Sequence, residues 1–129
     1  MNKEFSLDMA SRNRVLTAFE DLIREAHDNS EEHGFHKMYD EIMEAVPVEM
    51  RMDQHRTAVL AKLGLIASEV GEAVGAVQHD DSTALAFELA DIIIRILDLC
   101  GAEYIQLGPV ILKKMQLNRS RPYLHGKKC

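Results

Sequence analysis

Four acidic side chains occur as two pairs with the same spacing, Glu69 with Glu72 and Glu88 with Asp91. Residues three apart lie on one face of an α-helix, so each pair would present two carboxylates side by side. Two antiparallel helices joined by a short turn would then direct all four carboxylates at one point. Gathering that much negative charge is costly unless a divalent cation, bound through oxygen, neutralises it. The spacing therefore predicts a metal site with these four residues as ligands.

The types of donor restrict the metal. Oxygen ligands with no neighbouring His or Cys favour Mg²⁺, with Mn²⁺ as a substitute, and disfavour zinc and copper, which prefer nitrogen or sulfur. A di-iron helical bundle also buries carboxylates, but it usually needs Glu-x-x-His on two of its helices. Here the third residue after Glu69 is Glu72 and the third after Glu88 is Asp91, so neither pair supplies a histidine.

A single Glu-x-x-Glu pattern more often marks a solvated, charged helix face than a metal site. The two pairs here are embedded in apolar runs, at residues 63–67 and 90–94, and fall on neighbouring predicted helices. Charges that interrupt two apolar faces favour the metal site over a solvated surface. Arg95 and Asp98 extend the second stripe, either as partners of the metal site or as a simple helix ion pair.

Helices are the elements that would position these residues, since apolar residues recur at helical spacing without the alternation of a strand or an internal repeat. Residues 38–46, which precede Pro47, could add a short helical turn. Four main helices are predicted, over residues 8 or 11 to 29, 52 or 53 to 78, 82 to 100, and 103 to 118.

Single residues mark the expected ends of these helices. Asp81 or Ser82 has the side chain to cap the helix that begins at about residue 82. Gly101 is expected to stop the same helix. Pro109 must either kink the last helix or lie in its first turn.

Composition sets the fold class. The chain has 129 residues, of which 47% are hydrophobic and 28% charged, so it should fold as one domain over residues 1–129, with a basic tail at 119–129. Trp is absent and aromatic residues make up only 5%, so the core must come from aliphatic side chains and methionine, a mixture that favours helices. We therefore predict an all-α fold.

Charge and hydropathy exclude several classes of protein. The formal net charge of −6 argues against binding to a nucleic acid polymer, which requires a broad basic surface. No run approaches the roughly 18 apolar residues of a membrane span, and the first residues lack a secretory signal pattern. Cys100 and Cys129 have no CxxC spacing and are expected to be free thiols. We expect a cytoplasmic protein without a membrane partner.

The predicted helix that contains Glu88 is apolar on nearly every side. Its apolar residues between positions 88 and 101 are Leu89, Ala90, Ile92, Ile93, Ile94, Ile96, Leu97 and Leu99. A helix of this kind is buried on several sides, and a monomer of this size has few ways to cover it. We therefore predict a homodimer or a homotetramer.

Residues 55–128 resemble the MazG-like members of the all-α nucleoside triphosphate pyrophosphatases. The resemblance rests on the order and spacing of several motifs, which are residues 62–73, residues 88–98, Lys113-Lys114-Met115 through Asn118, Arg121-Pro122-Tyr123 and His125-Gly126-Lys127. It implies a four-helix bundle that is completed by homo-oligomerisation.

The resemblance also implies an activity, the Mg²⁺-dependent hydrolysis of a nucleoside triphosphate between its α and β phosphates. The products would be a nucleoside monophosphate and pyrophosphate. Glu69, Glu72, Glu88 and Asp91 would hold the metal, and one of the three glutamates could also be the general base. Phosphoryl transfer is compatible with such a site because it needs mainly positioning and charge neutralisation from the protein.

Substrate contacts follow from the same resemblance. Lys62, Lys114, Asn118 and Arg121 would contact phosphates, and the basic C-terminal residues would help to close the pocket. The segment from Asn29 to His36 would line the base and sugar pocket, with His33 and His36 placed to stack on a base or to hydrogen-bond it.

Two other functions use the same residues. One is the hydrolysis of a different nucleotide, such as phosphoribosyl-ATP, by the same fold and metal site. The other is a non-catalytic helical module that binds nucleotides, although such a module would have no need of four carboxylates.

Overall fold

The computed structural model describes residues 6–122. This part of the chain contains five α-helices and one 3₁₀ turn, and no strand. The prediction of an all-α fold is confirmed for this part of the chain. The helices are α1 (Met9–Glu32), α2 (Lys37–Ala45), α3 (Arg51–Gln78), α4 (Ser82–Ala102) and α5 (Leu107–Arg119), and the 3₁₀ turn is Val48–Met50.

The number of helices differs from the predicted four because residues 37–45 form a helix of their own, α2. Tyr39 and Met43, one turn apart, are half-buried on the same face of α2, which packs against α3. Val46 then adopts an extended conformation, with ψ of 135°, as expected for a residue before proline. Pro47 therefore ends a complete short helix and not a single helical turn.

The turn between α3 and α4 satisfies the ends of both helices. Asp80 adopts a left-handed conformation with φ of 52°, and the amides of Asp80 and Asp81 donate to the carbonyls of Val77 and Ala76. This pattern is a Schellman motif, which closes α3. The Asp81 side chain also accepts a hydrogen bond of 2.8 Å from the amide of Ala84, so the cap predicted at Asp81 or Ser82 is Asp81. Because the connection is so short, α3 and α4 form an antiparallel hairpin.

Gly101 does not stop α4, contrary to the prediction, because the helix continues to Ala102. The left-handed residue that follows the helix is Tyr104, with φ of 55°. Gly101 has a packing role instead, since a Cβ atom added there would lie 2.6 Å from the Cβ of His27. The absence of a side chain at Gly101 allows α1 to approach the end of α4.

The described residues fall into two compact units. Ile23–Tyr104 contains the end of α1 together with α2, α3 and α4. The other unit combines the described parts of Met1–Leu22 and Ile105–Cys129, and in it Pro109 is the third residue of α5. The first turn of a helix accepts proline because its amides have no partner within the helix, so one of the two predicted positions for Pro109 is confirmed. The single domain over 1–129 stays a prediction.

Few apolar side chains are buried in the described part of the chain. The buried apolar residues there are Ala73, Ala76, Leu97 and Cys100, and Cys100 is a free thiol as expected. Large exposed apolar residues on α3 and α4 include Leu60, Leu63, Val70, Val74, Val77, Phe87, Leu89, Ile93 and Ile94. Among the described residues, no helix is long and apolar enough to cross a membrane.

Candidate functional site

The hairpin of α3 and α4 brings the predicted carboxylates together. One carboxylate oxygen from each of Glu69, Glu88 and Asp91 lies within 4.8 Å of the others. Glu69 is on α3 and the other two residues are on α4, so the antiparallel arrangement expected from the spacing gathers them. Groups of oxygen atoms at such separations are suited to a hard divalent cation.

Glu69 is the buried member of this carboxylate cluster, with 8% of its surface exposed. Its Oε1 accepts a hydrogen bond from Nε of Arg95, which comes from α4. A buried carboxylate requires such a partner, because an unpaired charge away from water is costly. Arg95 therefore partners a residue of the cluster and not Asp98.

The side chain of Glu88 indicates whether a metal would fit the cluster. Its Oε2 is buried and has no hydrogen-bond partner among the described residues. Burial raises the pKa of Glu88. The negative charge of Glu72, a side-chain hydrogen bond with Glu72, and the charges of Glu69 and Asp91 raise that pKa further. A buried acceptor without a donor, surrounded by other carboxylates, is a place that a bound cation would satisfy. The residues therefore fit the metal that their spacing predicts.

Glu72 occupies a more peripheral position in the cluster. Its side chain is exposed, and it is not one of the three residues whose oxygens lie within 4.8 Å of one another. Its charge and a side-chain hydrogen bond with Glu88 nevertheless contribute to the raised pKa of Glu88. The role of Glu72 as a ligand stays a prediction.

A cleft of about 330 Å³ lies beside the cluster, and we call it the carboxylate cleft. Its volume is at the lower end of the range for small-molecule sites. Three predicted substrate residues, Asn29, His36 and Lys62, line it together with two of the carboxylates. The full lining is Asn29, Ser30, Phe35, His36, Lys62, Leu65, Glu69, Asp91, Ile94, Arg95 and Asp98.

Asp98 is the centre of a second polar cluster at one wall of this cleft. Its Oδ1 accepts hydrogen bonds from His36 Nε2 at 2.8 Å and from His27 Nδ1 at 3.2 Å. Its Oδ2 accepts a hydrogen bond of 3.0 Å from the hydroxyl of Ser30. Of the two alternatives left open for Asp98, the structure supports neither an ion pair with Arg95 nor a direct contact with the carboxylate cluster.

Lys62 connects this second cluster to the cleft. Its Nζ lies 3.3 Å from Nδ1 of His36 and 5.9 Å from the ring centroid of Tyr39. His36 is buried, with 6% of its surface exposed, and both of its ring nitrogens are engaged by protein groups. The ammonium group of Lys62 therefore has a defined position at the cleft.

The remaining predicted substrate residues lie elsewhere. His33 is exposed, and its Nδ1 is 2.8 Å from the carbonyl oxygen of Asn29 on its own helix. Lys114 and Asn118 are on α5, and Arg121 follows that helix, in the other compact unit. Their contacts with a substrate stay predictions, and Tyr123 and residues 125–127 lie outside the described residues.

Sequence reasoning missed His27, and it placed Ser30 only within the segment predicted to line the base and sugar pocket, without its partner Asp98. A signal for them exists in the sequence, because His27 follows Ile23 by one helical turn and Ser30 follows Ala26 in the same way. Polar residues that continue an apolar helical stripe must find partners in the interior. Ser30 is buried accordingly, with 9% of its surface exposed.

Residues 6–122 are all-α, and their carboxylate cluster beside a cleft is the arrangement of a helical protein with a candidate metal site. The profile of the MazG nucleotide pyrophosphohydrolase domain matches residues 58–123, just over half of the chain. The chain belongs to this family, and the match points to nucleotide pyrophosphohydrolase activity. The matched segment contains all four predicted metal ligands and Lys62, but not Asn29, His33 or His36. No curated protein and no solved structure matches the chain.

Proposed function

We propose that this protein is a Mg²⁺-dependent nucleoside triphosphate pyrophosphohydrolase, which cleaves ribo- or deoxyribonucleoside triphosphates between the α and β phosphates. The products are a nucleoside monophosphate and pyrophosphate. The observation that carries the proposal is the buried Glu88 Oε2, for which residues 6–122 supply no donor, within a carboxylate cluster that belongs to the matched family segment.

The carboxylate cluster would hold the cation. Glu69, Glu88 and Asp91, with Glu72 at the edge, offer the oxygen ligands that Mg²⁺ prefers, and Mn²⁺ is the natural substitute. A bound divalent ion supplies Lewis-acid neutralisation of the charge on phosphate oxygens and acidifies a coordinated water.

The protein's own groups position the substrate. Lys62 presents an ammonium group at the carboxylate cleft, where it can contact a phosphate oxygen. Arg95 holds Glu69 in its buried position through a hydrogen bond to Oε1. One of the glutamates, Glu69, Glu72 or Glu88, is proposed to remove the proton from the attacking water.

The base and sugar would lie at the end of the cleft formed by the α1 to α2 connection. Phe35 lines this end and has 76% of its surface exposed, so its ring is free to stack on a base. Asn29 lines the same end and can hydrogen-bond a sugar hydroxyl or a base edge. His36 forms a wall of this pocket, and His33 is a further proposed contact.

We also propose that the active form is a homodimer or a homotetramer. The exposed apolar residues of α3 and α4 support this assignment, because a large apolar surface usually marks an interface. Lys114, Asn118 and Arg121 would add phosphate contacts, either in their own subunit or in a neighbour.

A substrate panel tests the proposed activity. The protein is incubated with Mg²⁺ and with canonical triphosphates, modified triphosphates or phosphoribosyl-ATP, and the products are separated by chromatography. We expect a monophosphate and pyrophosphate from one or more triphosphates, and no turnover in excess chelator. Orthophosphate and a diphosphate as the main products would refute the proposed position of cleavage. Turnover of phosphoribosyl-ATP alone, or nucleotide binding without turnover, would favour the two alternative functions.

A further inference from the structure

We propose that Asp98 is a positioning residue, which holds Lys62 at the carboxylate cleft through His36. The proposal rests on the proposed function, because Lys62 is the group that would contact a phosphate. Asp98 itself lies two helical turns from Asp91 on α4 and belongs to a separate set of hydrogen bonds.

Asp98 accepts three hydrogen bonds from side chains outside α4. The side chain of Asp98 is only 20% exposed, and its donors come from segments that α4 must hold together. His27 and Ser30 are on α1, and His36 immediately precedes α2. Three charge-assisted hydrogen bonds to one carboxylate fix the orientation of that carboxylate and of its donors.

The contact with Asp98 determines which ring nitrogen of His36 carries the hydrogen. A carboxylate is an acceptor, so His36 Nε2, at 2.8 Å from Asp98 Oδ1, must carry the hydrogen. In the neutral ring the other nitrogen, Nδ1, is then an acceptor. Nδ1 is the atom that lies 3.3 Å from Lys62 Nζ, and an ammonium group can only donate. The Asp98 contact therefore selects the form of His36 that can accept a hydrogen bond from Lys62.

His36 holds the ammonium group of Lys62 in a cleft where carboxylates would otherwise attract it. A lysine side chain has four rotatable carbon bonds, and ordering it is entropically unfavourable. Lys62 shares the cleft with the carboxylates Glu69 and Asp91, which attract an ammonium group. A neutral acceptor at His36 orders the Lys62 side chain without pairing its charge. The ammonium group then stays available to a phosphate and does not compete with a cation for the carboxylates.

A metal ion is the other candidate for this cluster, since one donor atom each of His27, His36 and Asp98 lies within 4.8 Å of the others. Two observations favour hydrogen bonds instead. His27 Nδ1 and His36 Nε2 both lie at hydrogen-bond distance from the same oxygen, Asp98 Oδ1. The ammonium group of Lys62 approaches the far side of His36, where a metal-bound neutral ring would carry its hydrogen.

The test is a double-mutant cycle in the full-length protein with Mg²⁺ and the triphosphate that is turned over best. Lys62→Met and Asp98→Ala are each expected to lower kcat/KM roughly tenfold or more, the scale for a misplaced substrate-binding group. If Asp98 acts through Lys62, the double variant is no worse than Lys62→Met within about twofold. If the double variant instead loses kcat/KM by the two single fold-losses multiplied together, the role of Asp98 is merely structural and the proposal is overturned.

The matched control is Glu103→Ala. Glu103 also pairs with a histidine, His55, at 2.9 Å, and its side chain is 23% exposed, close to the 20% of Asp98. Glu103 and Lys62 line a common second cleft, but the partner of Glu103 is His55 and not His36. We expect this variant to keep kcat/KM within about twofold, because it removes a similar pair and leaves the contacts from Asp98 through His36 to Lys62 intact. An equal loss in Glu103→Ala and Asp98→Ala would overturn the proposal.

Nuclear magnetic resonance of the ¹⁵N-labelled wild type provides a second measurement, which requires neither a variant that folds nor an active enzyme. We expect the His36 ring to carry its hydrogen on Nε2 and none on Nδ1. A hydrogen on Nδ1 would overturn the proposal whether or not the protein hydrolyses triphosphates.

Stoichiometric Zn²⁺ uptake that is lost in Asp98→Ala but retained in Asp91→Asn would also overturn it, because the cluster would then be a metal site. Absence of pyrophosphate release from the wild type would instead count against the proposed function alone.

Discussion

Glu88 and Glu69 show how one helical hairpin can hold carboxylates in two different ways. Glu69 is buried and is matched by the guanidinium of Arg95, whereas the buried oxygen of Glu88 has no partner in the described part of the chain. A native fold rarely leaves a buried polar atom unsatisfied without a functional reason. The difference between the two residues supports the proposal that a cation binds beside Glu88.

We therefore expect Glu69→Gln and Asp91→Asn each to lower turnover roughly a hundredfold or more, the scale for loss of a group that stabilises the transition state. The fold should survive, because a glutamine at 69 can still accept a hydrogen bond from Arg95. Steady-state kinetics at saturating Mg²⁺ or Mn²⁺ measures the effect.

A thermal melt provides an independent readout for the same variants. A cation that binds only the native state raises the melting temperature, so Mg²⁺ should stabilise the wild type measurably. Asp91→Asn should lose most of that shift, whereas the exposed control Glu44→Gln on α2 should keep it. Unimpaired turnover in both cluster variants, or full activity in excess chelator, would contradict the metal assignment.

At the residue scale, local spacing could predict the carboxylates but not the second cluster. Glu69 and Glu72, like Glu88 and Asp91, are three residues apart, so helical periodicity alone places each pair on one face. The partners of Asp98 lie 62 to 71 residues away in the sequence. No local pattern encodes such a pairing, which depends on how α1 packs against α4.

At the scale of elements, the end of α4 decides whether α1 can make that approach. Gly101 follows Asp98 by three residues, on the same face of α4, and it lies against the Cβ and Cγ of His27. Sequence rules predict a helix stop at such a glycine, since glycine is common at helix ends. The prediction was wrong because Gly101 lies inside α4, where it packs closely against His27 of α1.

We expect Gly101→Ala to destabilise the protein by about 1–3 kcal/mol, the usual effect of overpacking. The new Cβ would lie 2.6 Å from the Cβ of His27, an atom close to the backbone that cannot move without a shift of α1. The same shift should lengthen the His27 contact with Asp98 and lower kcat/KM. Chemical denaturation with an activity assay measures both effects.

Gly64→Ala is the matched control. Gly64 lies inside α3, and an added Cβ there has nothing within 4 Å. Alanine exceeds glycine in helix propensity by up to about 1 kcal/mol, so this variant should be as stable as the wild type or more stable. Equal destabilisation by both substitutions would show that the close approach at Gly101 is unimportant.

The turn between α3 and α4 was easier to predict because its signals are local. Asp81 caps α4 through its own side chain, and Asp80 takes the left-handed conformation that follows α3. We expect Asp81→Ala to destabilise the protein by about 1 kcal/mol, the typical effect of losing a cap. Asp80→Gly should have no destabilising effect, because glycine adopts a positive φ without strain. Denaturant midpoints of the two variants test this contrast, and a larger loss in Asp80→Gly would contradict it.

At the scale of the whole molecule, the notable property is how little apolar surface the described chain buries. Its hairpin of α3 and α4 buries mainly the small side chains Ala73 and Ala76 and the larger Leu97, while long aliphatic residues on the same helices stay exposed. The apolar character of α4 could be read from the sequence, but which of its faces would remain uncovered could not. That outcome depends on where the other helices of the chain pack.

The uncovered face supports a prediction about assembly. Ile93 is 55% exposed in the single chain, whereas Ile96 is half-buried already, so a charge at Ile93 reports most directly on a subunit interface. If a second copy covers Ile93, Ile93→Asp would bury an unpaired carboxylate and cost several kcal/mol of association free energy. We expect monomeric or insoluble protein. Hydrolysis is lost as well if Lys114 or Arg121 contacts the substrate of a neighbouring subunit, which is one of the two arrangements proposed for them.

Thr83→Asp is the control for this substitution, because it adds the same charge to the same helix at an exposed position in the first turn. The helix dipole favours an acidic residue there, so assembly and activity should be unchanged. Light scattering coupled to size exclusion gives the mass of each variant. A wild-type mass near 14.6 kDa together with full activity would rule out the oligomer. Dissociation of Ile93→Asp into folded monomers that retain full kcat/KM would separate assembly from catalysis, and the proposed contribution of a neighbouring subunit would then be wrong.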